Sequence, residues 1–189
     1  MNLNELRDKA YKNACEHGFH EEDLDDDHYL MLVVCELTEA VEADRKNKRA
    51  NTSAFTSNMN MYIDLSANEK TRPSLTEDAF FSFAFSQYIK DSVEDELADT
   101  VIRLLDLAGL RGIDLSDIYV WDFVTMKDLS VYIFATIRQL YDTPIERAVI
   151  STISNIFSYC KAIDVDLLWH IEMKMKYNEL REYKHGKRY

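Results

Sequence analysis

Apolar residues along most of this chain recur at the three-to-four-residue interval of an α-helix, and the pattern predicts an all-α protein. Helices are expected at about 3–17, 27–48, 75–90, 92–111, 126–141, 144–161 and 164–183. In the second, Leu30, Val33, Val34, Leu37, Ala40 and Val41 form one stripe, with Glu36 and Glu39 beside it. In the fourth, Val93, Leu97, Ala98, Val101, Leu104, Leu105 and Ala108 form another, flanked by Glu96 and Asp99. The two helices share one plan, a buried stripe edged by a pair of carboxylates.

Only four glycines and two prolines interrupt the chain, and the residues around the expected ends carry helix-terminating chemistry. Asp25 to Asp27 provide an N-cap and favourable charge at the start of the Glu36 helix. Gly112 provides a left-handed stop after Arg111, and Thr143 followed by Pro144 reads as an N-cap with proline in the first helical position. Residues 50–74 are the least regular and read as a loop with some local helix. The basic residues Arg45, Lys46, Lys48, Arg49, Lys70 and Arg72 lie around that segment, where they either meet phosphate or are solvated surface. The aromatic run Phe80, Phe81, Phe83, Phe85 and Tyr88 reads as core.

A faint internal echo is present. The segment from Leu110 to Leu115 recurs as Cys160 to Val165, each closing a helix, and a slide of fifty residues sets Glu96 on Glu146 and Asp99 on Val149. A second helical hairpin that kept its packing and lost its acids would produce this pattern, as would chance similarity between amphipathic helices.

Composition narrows the function. A chain of 189 residues with 47% hydrophobic content suits a single domain, here 1–189, with an insertion at 44–91 and an additional hairpin at 126–161. A net charge of -12 argues against a sequence-independent grip on a nucleic acid polymer, whose phosphates are held largely by Lys and Arg. Cys15, Cys35 and Cys160 make neither a disulfide framework nor a zinc motif, and no apolar run approaches membrane-spanning length. The amphipathic start does not resemble a signal peptide, so a cytoplasmic protein without a membrane partner is expected. No Gly-rich phosphate loop followed by Lys-Ser or Lys-Thr exists, which excludes a P-loop nucleotide-binding site.

The acidic pairs carry the chemistry. Carboxylates three residues apart share a helix face about 5 to 6 Å apart, close enough to reach one hard cation or a pair of them. Glu36, Glu39, Glu96 and Asp99 are therefore candidate metal ligands, with solvated charged helix faces as the competing account.

The order Glu36-Leu37-Thr38-Glu39, Glu96-Leu97-Ala98-Asp99, Gly112-Ile113-Asp114-Leu115, then Lys174 through Arg181 and Lys184 through Tyr189, resembles the MazG-like members of the all-α nucleoside triphosphate pyrophosphohydrolases. That superfamily also holds the dimeric dUTPases. The resemblance covers about two thirds of the chain, and either acidic pair alone would be a weak signal. It implies a helical bundle, usually oligomeric and here a homodimer, that cleaves a nucleoside triphosphate between its α and β phosphates with Mg²⁺, or Mn²⁺ in its place. It further implies that Glu39 holds the attacking water, and that Lys174, Asn178, Arg181 and Lys187 bind substrate. The long separation of the acidic pairs and the extra hairpin depart from compact relatives and leave the preferred base open. Arg103 stands where many relatives carry an aromatic residue, and is expected either to pair with Asp99 or to reach phosphate. A dUTPase- or dCTPase-like enzyme and a catalytically inactive helical interaction protein remain as alternatives.

Overall fold

The computed structural model describes residues 2–22, 24–67, 73–122, 124–125, 128–141 and 143–183; among these are eight helices and no strand. They are α1 (Leu3–Glu16), α2 (Asp26–Arg45), α3 (Thr52–Ser66), α4 (Glu77–Tyr88), α5 (Val93–Arg111), α6 (Leu129–Tyr141), α7 (Ile145–Ala162) and α8 (Leu167–Glu179). The all-α expectation holds, and no helix among the described residues is long and apolar enough to cross a membrane.

Helix α5 is the axis of the molecule. It packs against α1, α2, α7 and α8, and its apolar residues from Val93 to Ala108 are almost entirely removed from water. Ser92 begins it, accepting the Asp95 amide on its hydroxyl. Gly112 ends it in the left-handed conformation at φ 65°, as its sequence position predicts. Gly109 serves close approach: a Cβ there would lie 2.4 Å from Tyr11 Cβ, so α1 could not rest at its present distance.

One expectation is corrected. Thr52–Ser66, within the segment read as mostly loop, is the regular helix α3, capped by the Asn51 side chain on the Ala54 amide. Its helix-poor Asn, Ser and Thr residues hide a narrow apolar stripe of Phe55, Met59 and Tyr62. That stripe is effective only because α4 covers it. Phe55 meets Phe81 edge to face at 5.6 Å, and Tyr62 stacks on Phe80 at 4.6 Å. The α3–α4 hairpin thus carries a small core of its own, centred on Phe55, Phe81, Phe85 and Ile89 and packed against Trp169, Met173 and Tyr177 of α8. The aromatic run is core, except that Phe83 faces outward.

The α6–α7 pair packs on α2 and α5 respectively. Both α5 and α7 close on a left-handed residue followed by a backbone bond to the helix: Gly112 with Ile113 donating to Ala108, and Asp164 with Val165 donating to Cys160, each at 2.9 Å. The left-handed residues are 52 apart, so the turns match at a register two residues from the fifty-residue echo. At α7 the expected cap also differs. Pro144 is itself the N-cap, and the Thr143 hydroxyl donates backward to the Gln139 carbonyl at 2.7 Å, closing α6 instead.

Candidate metal centre

The α2 and α5 helices face each other along their lengths, which places the two acidic pairs together. Oxygens of Glu36, Glu39 and Glu96 all lie within 4.8 Å of one another. Glu36 and Glu96 are buried and Glu39 is exposed, so the triplet opens to water on one side. Three of the four expected ligands converge in this way. Asp99, one turn beyond Glu96, is not part of the triplet: its Oδ2 lies 3.3 Å from Lys174 Nζ.

Asp95 is a member of the site that the sequence reading missed. It is 1% exposed, and its Oδ2 accepts both the Asp91 amide and Lys174 Nζ at 2.9 Å. Its Oδ1 is buried with no hydrogen-bond partner among the described residues. With Asp91 and Glu96 it forms a second triplet of oxygens within 4.8 Å. The signal was present, because Asp95 stands four residues before Asp99 and must share its helix face. The Glu-Leu-Ala-Asp frame drew attention one residue downstream.

Two cations are set into this carboxylate cluster. Lys174 of α8, itself buried, bridges Asp95 and Asp99. Arg103 donates from Nε to Glu36 Oε1 at 2.6 Å, across the α2–α5 interface. Its salt-bridge partner is Glu36 on the facing helix, where the sequence reading offered Asp99 or phosphate.

Arg103 and Lys174 thus face Glu36, Asp95 and Asp99, with Glu39, Glu96 and Asp91 completing the two oxygen triplets. The titration of Glu36, Asp95 and Glu96 reflects the excess of acids. Burial, then repulsion from Asp95, pushes Glu96 up to about 8 despite Lys174. Burial and the charge of Asp99 raise Glu36, although Arg103 opposes them. Asp95 is raised by burial against the pull of Lys174. Burial would weaken the charge on Lys174 and Arg103, yet the surrounding acids more than reverse this and hold both protonated. A cluster of hard oxygens, one of them buried without a donor among the described residues, could hold a metal ion.

The remaining expected site residues lie along α8. Asn178 follows Lys174 by one turn, is 6% exposed, and its Oδ1 is buried without a hydrogen-bond partner among the described residues. Asn178, Arg181 and Asp99 border a cavity between α1, α2, α5 and α8. Lys187 lies outside the described residues, as do Lys70 and Arg72. The other basic residues near the insertion are tied to carboxylates: Arg45 and Lys46 to Glu42, Lys48 to Asp91, and Arg49 to Asp44.

No family model matches the chain, and neither a curated protein nor a solved structure matches it. The resemblance to the MazG-like enzymes is carried by the motif residues alone.

Proposed function

We propose that this chain is a Mg²⁺-dependent nucleotide pyrophosphohydrolase that cleaves a nucleoside triphosphate between its α and β phosphates, releasing monophosphate and pyrophosphate. The observation that carries this reading is the convergence of Glu36, Glu39 and Glu96 on one side of the α2–α5 interface, with Glu96 pushed up to about 8 by its neighbours. Maintaining so many buried acids is costly unless a cation belongs with them.

Bound Mg²⁺ would supply the positive charge that lets an acidic surface accept a polyphosphate and would stabilise charge developing on it. Glu36 and Glu96 would hold the cation from the buried side. Glu39, exposed at the mouth, is the carboxylate best placed to take a proton from an attacking water. Lys174 positions Asp95 and Asp99 through its 2.9 and 3.3 Å contacts, a role different from the direct phosphate contact implied by the resemblance. Asn178 and Arg181, at the edge of the adjoining cavity, are placed for the sugar or the phosphates. A dUTPase- or dCTPase-like preference belongs to the same reading.

We further propose that the protein works as a homodimer. On α6, Val131, Phe134 and Tyr141 share one outward stripe, with Phe134 64% and Tyr141 85% exposed.

The test is to incubate the protein with a panel of nucleoside triphosphates in Mg²⁺ and then in EDTA, resolving products by ion exchange. Monophosphate and pyrophosphate formed only with metal support the proposal. No turnover, together with a melting temperature indifferent to Mg²⁺ and Mn²⁺, would replace it with a helical interaction protein.

A further inference from the structure

The cavity between α1, α2, α5 and α8 has a volume of about 80 Å³, several times the roughly 10–15 Å³ that one water needs. Ala10, Phe19, Leu32 and Ile102 give it apolar walls, suited to a flat aromatic ring. Its polar groups are more specific. Asp106 lines it, seven residues beyond Asp99 on α5 and so about 10 Å farther along the helix axis. That spacing suits a nucleotide whose phosphates lie at the acidic centre and whose base reaches Asp106.

Asp106 is held in a fixed orientation. Its Oδ1 accepts from Nε2 of the buried His20 at 2.7 Å, and His20 Nδ1 lies 3.2 Å from the Tyr29 hydroxyl. Asp106 is raised by burial, which His20 and then Arg103 oppose. In its ionised form the carboxylate accepts hydrogen bonds only and repels phosphate. The Oδ1 of Asn178, which also lines the cavity and has no hydrogen-bond partner among the described residues, is a second acceptor. Arg103 and Arg181 line the same cavity as donors, so the call for a donating ligand group is confined to the positions of Asp106 and Asn178.

We propose that the cavity binds a nucleobase bearing an exocyclic amino group beside a ring nitrogen, as in cytosine or adenine, with Asp106 accepting from that amine and the Asn178 oxygen accepting from the sugar. A base with an oxo group in the same position, as in uracil or hypoxanthine, would set two acceptors against each other and be rejected. The orientation of the ligand rests on the proposed reading of the acidic centre as the phosphate end; recognition of the amine rests on the cavity itself.

Titration calorimetry on the full chain, with CMP against UMP and AMP against IMP, isolates the amino-to-oxo exchange and needs no turnover. The amino partner should bind roughly 10- to 100-fold more tightly in at least one pair. Asp106→Asn, which retains an acceptor for His20 and adds a donor, should level or invert that ratio. Equal binding, preference for the oxo base, or binding of none of the four would overturn the assignment, and the native chain decides this even if the variant does not fold. Selective CMP or AMP binding without triphosphate cleavage would uphold the cavity and remove the hydrolase reading. Cleavage with no amino preference would do the reverse.

Discussion

The α2–α5 and α6–α7 helix pairs bury different kinds of polar group. In α5 the buried polar residues are chiefly Glu94, Asp95 and Glu96; in α6 and α7 they are Thr136, Thr152, Ser154 and Ser158. Two of these hydroxyls bond within their own helix and a third reaches outside the pair, while that of Thr152 has no partner among the described residues. Thr136 donates to the Tyr132 carbonyl at 3.0 Å, Ser158 to Ser154 at 2.6 Å, and Ser154 to the Tyr119 carbonyl. The acids draw on partners distant in sequence: Lys174 of α8 serves Asp95 and Asp99, Arg103 of α5 serves Glu36 of α2, and the Glu94 carboxylate accepts the amide of Ala50, just before α3. Neutral hydroxyls of this kind need no counter-charge. A helix pair holding an excess of buried carboxylates is stabilised by cations, here Arg103 from α5 itself and Lys174 from α8, an arrangement that could also hold a metal ion.

That contrast can be broken most sharply at the acids themselves. Glu39→Gln and Asp99→Asn should each reduce kcat/KM on the best triphosphate by on the order of 10²-fold or more while leaving the helical circular dichroism spectrum intact, since each removes a charge and almost no volume. Full activity in either variant would detach the carboxylates from the chemistry. The next effect is on stability. Lys174→Met leaves Asp95 and Asp99 without their shared cation and should cost about 3–5 kcal/mol in denaturant unfolding. A loss under about 1 kcal/mol, the range of an exposed pair, would show that the buried pair is not a structural keystone.

A pH series sharpens the comparison without mutation. The carboxyl of Glu96 is raised from 4.5 to about 8 on folding, so between those values the native state holds a proton that the unfolded chain has released. Its contribution to stability is present at low pH and is lost as pH rises through that window. On the proposed metal reading a divalent cation competes with the same proton, and a rise in Tm on adding Mg²⁺ should be larger at about pH 8.5 than at about pH 6. An equal shift at both would mean that the metal binds elsewhere. The smallest effect is expected in the hydroxyl hairpin. Ser158→Ala removes the acceptor of the Trp121 amide, at 2.9 Å, and should cost about 1–2 kcal/mol while leaving the Mg²⁺ response unchanged.

Local pattern and tertiary arrangement contributed differently to what could be read. The stripes of α2 and α5 were legible because each repeats a 3.6-residue period over several turns, and Glu36, Glu39 and Glu96 came together because helices must face each other along such stripes. Helix α3 was obscured because its stripe is thin and its polar residues favour turns, so its helicity depends on the aromatic cover that α4 provides. Asp95 was missed for a different reason. Neighbouring acids on one helix look alike in sequence, and only the position of Lys174 on α8 distinguishes the buried carboxylate from its solvated neighbours.

By itself, then, the sequence determined the all-α class, most helix ends and the two acidic faces, because periodicity, caps and glycine stops act within a few residues. Tertiary structure alone decided that Arg103 pairs with Glu36, that Lys174 turns inward to Asp95 and Asp99, and that Asp106, fixed by His20, lines a cavity. These partners are 67 to 86 residues apart. Charge and burial between such distant positions depend on how the helices are stacked, and local sequence preferences do not encode that stacking.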